Sequence, residues 1–222
     1  MRVASEDLVT KALLAGGVAG GFGFVAVAAI AGAVRPYYDS VSLPVSMLSL
    51  GDGGWVQITN FVITGLLMIA FAIGLRRVLV SGRASVWGPL MIGVNGLGLI
   101  GAGVFNVDPG RGYPPGASIE ATATMSGYLH AAWSLVAFLS MALACLVFAR
   151  RFALRPGGGA WAAYSGLTAF IVLGFLAAAT AVWSGDGEFG GLLQRVSIYW
   201  GRFWISLLAV RVLLGLGAKP QV

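Results

Sequence analysis

Six long stretches of apolar residues, separated by short polar segments, dominate the hydropathy pattern of the chain. A membrane-spanning α-helix needs about 20 predominantly apolar residues, and each stretch is close to that length or exceeds it. The pattern predicts an all-α polytopic membrane protein, a six-transmembrane-helix bundle in a single membrane domain covering residues 1–222. The predicted spans are 12–34, 55–75, 87–105, 126–149, 161–183 and 193–216.

Basic residues are distributed unevenly between the two sets of loops that six spans create. With the N-terminus inside, ten of the fourteen Lys and Arg residues fall on the inner face, whereas only Glu6 and Asp7 of the eight acids do. Cytoplasmic loops carry an excess of Lys and Arg. We therefore expect both termini to be cytoplasmic.

The first span carries two overlapping GxxxG patterns, formed by Gly16, Gly17, Gly20 and Gly21. Small residues at this spacing allow a second helix backbone to approach closely. We expect close packing inside the bundle. The alternative use is assembly of a homo- or hetero-oligomer through this glycine-rich span.

Two longer segments, 35–54 and 106–125, lie on the outer face in this topology. The first contains Pro44 and a GDGG sequence. We interpret it as a polar segment that is too irregular to cross lipid, where every backbone polar group needs a partner. The sequence leaves open whether the two segments fold over the bundle as a lid.

Composition excludes several classes of function. With 58% hydrophobic and 10% charged residues, the chain lies outside the range of soluble globular domains. Its net charge of +6 would suggest nucleic acid only if the basic residues formed one soluble face. They lie in loops, so we exclude a nucleic-acid partner. The middles of spans two to five carry no Asp, Glu, Lys or Arg, which argues against ion-coupled transport. One histidine and one cysteine provide neither paired haem ligands nor a zinc site, so we expect no cofactor and no metal.

Asp108 and the only histidine, His130, flank the loop between spans three and four. If the loop folds back, the carboxylate and the imidazole could meet and act as a general acid and base. Each residue also has a simpler interpretation. Aspartate before proline commonly initiates a turn, and a histidine at a helix start commonly donates an interfacial hydrogen bond.

The sixth span carries a second group of candidates, Arg195, Tyr199 and Arg202, which share one face at helical spacing. From a helix start near residue 193, Arg202 lies roughly 14 Å along the axis. It should then face the bundle interior and pair with an acid, for which Asp108 is the first candidate. If the helix enters lipid near Ile198 instead, Arg202 snorkels to the surface. The other candidates for ligand binding are the amides within the spans and an outer-face tyrosine: Asn60, Asn95 and Tyr128.

Four segments of the chain resemble a known bacterial membrane-protein family, domain of unknown function 998. They read WVQITNFVITGLLMIAFAIGLRR, GLGLIGAGVFNVDPGRGYPPG, SGYLH and GLLQRVSIYW. The resemblance implies a six-helix, multi-pass protein of the prokaryotic inner membrane and no particular activity. The aspartate, loop and histidine pattern is more distantly similar to the Frag1/DRAM/Sfk1 group, whose members are linked to lipid handling. That likeness is an analogy at the level of the fold.

Three hypotheses about function remain open on the sequence. The first is a protein that binds a membrane lipid or another hydrophobic small molecule in a pocket facing the outer leaflet, with Arg195 and Arg202 holding an anionic head group. The second is a membrane enzyme, a hydrolase or a prenyl-chain cyclase, that uses Asp108 and His130. The third is a structural partner of another membrane complex, which predicts no pocket.

Overall fold

The computed structural model of the chain describes residues 8–119, 123–185 and 187–217, and six long α-helices account for most of them. A short 3-10 helix, Val45–Ser49, lies between the first two. All six long helices have the length and apolar composition needed to cross a membrane. The predicted all-α six-helix bundle is confirmed, with helices α1 (Leu8–Val34), α2 (Trp55–Val78), α3 (Ala84–Val104), α4 (Met125–Ala153), α5 (Gly159–Ser184) and α6 (Gly190–Gly217).

The helices extend a few residues beyond most of the predicted span ends. α2 continues through Arg76 and Arg77, and α4 continues through Arg150 and Arg151. Hydropathy marks only the part of a helix that contacts lipid. The backbone hydrogen bonds of a helix continue into the interface, where basic side chains reach water.

The helices form a closed ring in chain order. Each helix packs against its neighbours in sequence, and α6 packs against α1. Because successive helices run in opposite directions, Leu8 and Gly217 lie at the same end of the ring. We call the other end the loop end. It carries the first loop (35–54), the second loop (105–119 and 123–124 of the α3–α4 connection) and the short α5–α6 connection. The side of the membrane on which the termini lie stays a prediction.

The glycine stripe of α1 is used inside the ring. A methyl group on Gly16 would lie 3.0 Å from the Leu67 carbonyl oxygen of α2, and one on Gly17 would lie 2.8 Å from Ala209 of α6. α1 therefore approaches both neighbours through its glycines, as expected for small residues at a membrane helix interface. Assembly of an oligomer through this span stays a prediction.

The half of the ring that is remote from the loop end is filled by side chains. Trp204 of α6 is fully buried, its ring centroid lies 5.8 Å from that of Phe148, and its indole N–H donates to the Ser165 hydroxyl at 3.0 Å. This packed half forms the floor of a cavity that lies in the half near the loop end.

Candidate ligand-binding cavity

A cavity of about 510 Å³ lies in the half of the ring near the loop end, and all six helices contribute to its wall. Most of the wall is aromatic or aliphatic. Ligand pockets of this size and lining commonly hold one small molecule, oriented by a few polar groups. The larger apolar residues of the wall include Phe24, Phe61, Leu99, Phe138, Met141 and Val172.

Arg202 and Asn95 lie in the part of the cavity wall that is deepest in the bundle. Asn95 is nine residues from the end of α3 and Arg202 twelve from the start of α6, which places them roughly 14 and 18 Å below the loop end of their helices. Nη1 of Arg202 donates to Oδ1 of Asn95 at 3.2 Å, and Nδ2 of Asn95 donates to the Ala137 carbonyl at 2.7 Å. The amide is thus fixed by α4 with its oxygen toward Arg202.

Arg202 is 4% exposed, and no carboxylate of a described residue forms an ion pair with it. Within residues 8–119, 123–185 and 187–217 its one hydrogen bond is the bond to Asn95. Nε and Nη2 make no such bond, and they are not enclosed by protein atoms, so they face the cavity. The Phe24 ring lies 5.2 Å from the guanidinium carbon. The prediction that Arg202 faces the interior is confirmed, whereas the predicted ion pair with Asp108 is wrong because the neutral Asn95 occupies that position.

His130 is buried in the cavity wall and fastens α4 to the end of α3. Its Nδ1 lies 2.9 Å from the carbonyl oxygens of both Ala102 and Phe105. Two acceptors require Nδ1 to carry the hydrogen, so in the neutral ring Nε2 is an acceptor. Nε2 makes no hydrogen bond to any described residue and is open to the cavity.

Asp108 also lines the cavity, but it is held by the start of α4 and not by His130. Its carboxylate accepts from the Thr124 backbone N–H at 3.0 Å and from the Thr124 hydroxyl at 2.5 Å. Thr124 is the N-cap of α4 and accepts from the Gly127 N–H. A carboxylate at a helix N-terminus is stabilised by the helix dipole. The three predicted network members, Asp108, His130 and Arg202, share one cavity but do not form one hydrogen-bonded network within the described residues.

The first loop forms a roof over the cavity. Pro44, Val45 and Met47 line its upper wall, and the Val45 N–H donates to the side-chain oxygen of Gln194 in α6 at 2.8 Å. Val45, Met47 and Leu48 are completely buried. The interpretation of 35–54 as a polar segment was therefore wrong for its second half, where the apolar run around the 3-10 helix packs onto α1, α2 and α6.

Arg195 holds this roof in place. Its Nη1 donates to the carbonyls of Ser40, Leu43 and Gly191 at 2.6, 2.8 and 3.1 Å. Its Nη2 donates to the Tyr38 hydroxyl at 2.5 Å. Burial raises the pKa of Tyr38 to about 12, although the Arg195 charge acts in the opposite direction. The phenol is therefore protonated at neutral pH and can donate to the carbonyls of Leu43 and Pro44.

The second loop closes the top of the ring beside the first. Tyr113 is 3% exposed, and its ring packs edge-on against Tyr38 with centroids 5.4 Å apart. Arg111 donates to the carbonyls of Trp183 and Gly187 at 2.9 and 2.8 Å and lies 4.5 Å from the centroid of the Trp183 ring. Arg111 thereby fixes the end of α5, whose Trp183 lines the cavity.

The cavity opens sideways between α4 and α5. Ala131 and Leu135 of α4 and Thr180 of α5 line the cavity, and all three residues are also exposed. Residues that face both the interior and the surrounding lipid mark the mouth of a cavity. A hydrophobic molecule could therefore enter from the bilayer without passing the roof.

Four of the eight residues named from the sequence line the cavity, namely Asp108, His130, Asn95 and Arg202. The other four do not. Arg195 is engaged with the first loop, and Tyr199 lies beside Arg195. Asn60 donates to the Phe24 carbonyl at 3.2 Å, and Tyr128 is 65% exposed.

Sequence reasoning missed several polar residues of the wall, including Gln194, Ser134 and Ser197. A signal for two of them was available. Ser134 lies one turn after His130 on the same face of α4, and Gln194 lies two turns before Arg202 on α6. Arg195 and Tyr199 lie on a neighbouring face of α6, which the first loop covers.

No group of three or more His, Cys, Asp and Glu side chains able to hold a metal ion occurs in the part of the chain that the structure describes.

Comparison with known proteins finds a family match: the model described as Protein of unknown function (DUF998) matches residues 18–211. No curated protein and no solved structure matches the chain. The family match takes in the segments from α1 to α6 that build the cavity, including the Asp108 loop, His130 and Arg202. The chain is a multi-pass membrane protein that belongs to the DUF998 family.

Proposed function

We propose that this protein binds a membrane lipid or another amphiphile in the cavity between its six helices, within the inner membrane of a bacterium. The observation that carries the proposal is the apolar cavity of about 510 Å³ with the buried Arg202 in its wall. An uncompensated buried cation is costly, and ionisable residues inside membrane spans commonly mark a functional site.

The mouth between α4 and α5 supports a ligand taken from the bilayer. Its exposed residues, Ala131, Leu135 and Thr180, carry no charge, so a lipid chain crosses it without leaving an apolar environment. The cavity has the volume of a single drug-sized molecule. It holds one chain and a small polar group, and any further bulk of the ligand lies outside the mouth.

The test is lipid retained by the purified full-length protein. Native mass spectrometry in detergent, combined with extraction of bound lipid, should show lipid above the level of empty micelles. Ala131→Trp places a bulky ring at the mouth and should lower the retained lipid severalfold. Ala132→Trp is the matched control, because Ala132 is also exposed but does not line the cavity. Absence of bound lipid in the unmodified protein, or an equal loss in both variants, would contradict the proposal.

A membrane enzyme remains the second candidate, on the observation that Nε2 of His130 is open to the cavity. Among the described residues His130 has no hydrogen-bonded carboxylate partner, since Asp108 is engaged with Thr124. The purified protein can be assayed for turnover of an added ester-linked lipid or prenyl substrate. Turnover that His130→Gln abolishes would show that the cavity is a catalytic site. The third candidate, a purely structural partner, predicts a bundle without a cavity, and the described bundle has one.

A further inference from the structure

We infer that the ligand carries one carboxylate, which binds Arg202 at the middle of the bundle while its apolar chain extends toward the mouth between α4 and α5. The inference rests on the proposed function and specifies the ligand of the same cavity.

The chemistry of Arg202 selects an anion. The guanidinium has five N–H donors in a planar fork, and among the described residues only one hydrogen bond, to Asn95, uses them. Nε and Nη2 face the cavity as an adjacent pair of donors, the arrangement that a carboxylate bridges with two parallel hydrogen bonds. Asn95 holds the guanidinium in this orientation, since its own amide is fixed on the Ala137 carbonyl.

The charged residues of the cavity wall favour a ligand with a single negative charge. Arg202 is the one cationic residue among the described residues that line it, and the Asp108 carboxylate of the same wall does not use this charge because it is held by Thr124 at the start of α4. A dianionic phosphate would leave one charge uncompensated in a low-dielectric interior, which is costly. A carboxylate matches the one available cation.

The depth of Arg202 sets the orientation of the ligand. It lies roughly 18 Å below the loop end of α6, and Trp204, Ile205 and Leu208 fill the bundle beyond it with exposures of 0, 0 and 1%. A chain attached to the carboxylate therefore cannot continue downward. It runs upward along Phe138 and Leu176 to the mouth at Leu135 and Thr180.

The experiment compares molecules that share a chain and differ in the polar group. The full-length protein in nanodiscs is titrated with radiolabelled palmitate, and palmitate methyl ester, hexadecanol, hexadecyl phosphate and acetate are added as competitors. We expect palmitate to bind at least about tenfold more tightly than the ester or the alcohol, hexadecyl phosphate to bind more weakly than palmitate, and acetate not to compete.

Two substitutions should remove the preference for the acid. Arg202→Gln should bring palmitate down to the affinity of the ester. Asn95→Asp should have the same effect without removing the cation, because it supplies a carboxylate within the protein. Arg211→Gln is the control: Arg211 lies on the same helix outside the cavity, against Trp161 at 4.8 Å from its ring centroid.

The outcomes separate the two proposals. Equal affinities for palmitate and its methyl ester would contradict the inference that the ligand carries a carboxylate, but they would leave the proposed binding of an amphiphile intact. Tighter binding of hexadecyl phosphate than of palmitate would contradict the inference that the ligand carries a single negative charge. Competition by acetate would contradict the requirement for an apolar chain and would indicate a site for small anions. If no chain-bearing probe binds and no lipid co-purifies, the proposed function fails as well.

Discussion

The Tyr38 hydroxyl accepts a hydrogen bond of 2.5 Å from Nη2 of Arg195, and this bond joins the first loop to α6 across 157 residues of sequence. Both side chains are 8% exposed. The phenol is at once an acceptor for Arg195 and a donor to the loop backbone at Leu43 and Pro44. This pair of side chains therefore fastens the first loop to α6, beside the bond from the Val45 N–H to Gln194.

Loss of this pair should loosen the roof selectively. Arg195→Gln removes the donor of the part-buried Ser40 carbonyl and one of two donors of the Leu43 carbonyl, and an unpaired buried polar group costs about 1–3 kcal/mol. Hydrogen exchange of the first loop should accelerate at least about tenfold, with little change in α2 and α3. Tyr38→Phe should give a smaller acceleration because the carbonyl contacts of Arg195 survive. Uniform acceleration throughout the protein would mean that Arg195 supports the whole fold and not the roof.

The burial of Tyr38 predicts a loss of stability at alkaline pH. Its pKa is about 12 in the folded protein and about 10 in an unfolded chain. Between these values the unfolded state gains more from ionisation, so the contribution of the neutral phenol is complete below pH 10 and is lost as the pH rises toward 12. Unfolding in detergent should show a decline in this window that is smaller in Tyr38→Phe. Identical alkaline profiles of the two proteins would contradict the assignment.

The helices and the inward direction of Arg202 could be predicted because each depends on local sequence. A run of about 20 apolar residues specifies a membrane helix, and a charge deep in such a run must face the interior. The partner of Arg202 could not be predicted. α3 and α6 are not neighbours in the closed ring, and Asn95 meets Arg202 across its interior, a relation that depends on the arrangement of all six helices.

The roof could not be predicted for a related reason. Pro44 and the GDGG sequence of the first loop indicate a polar segment, yet the apolar residues Val45, Met47 and Leu48 of this loop are buried. Their burial requires a ring wide enough to admit a 3-10 helix. That width is a property of the assembled bundle and not of the loop sequence.

Asp108 should contribute to stability through α4. Its carboxylate accepts from the Thr124 N–H, so Asp108→Ala should lower the free energy of unfolding by about 0.5–2 kcal/mol, as for the loss of an N-cap. Gly127→Ala should cost at least as much, because a methyl group there would occupy the position of the Asp108 carboxylate. Reversible unfolding in mixed detergent micelles measures both. Gly166→Ala is the control, since a methyl group at 166 meets no neighbour within 4 Å. Wild-type stability of Gly127→Ala would contradict this contact.

The ring of His130 offers a direct spectroscopic test of the cavity, because the chain contains a single histidine. The carbonyls of Ala102 and Phe105 fix the hydrogen on Nδ1. Nitrogen NMR of protein labelled with ¹⁵N-histidine at neutral pH should therefore show a protonated Nδ1 and an unprotonated Nε2. Because Nε2 faces the cavity, adding palmitate should shift the Nε2 resonance and leave the Nδ1 resonance nearly unchanged. Acetate, which lacks the chain, should shift neither. A hydrogen on Nε2 would contradict the Nδ1 contacts. Equal shifts of both nitrogens would mean that the ligand moves the end of α3, because Nδ1 reports the position of those carbonyls.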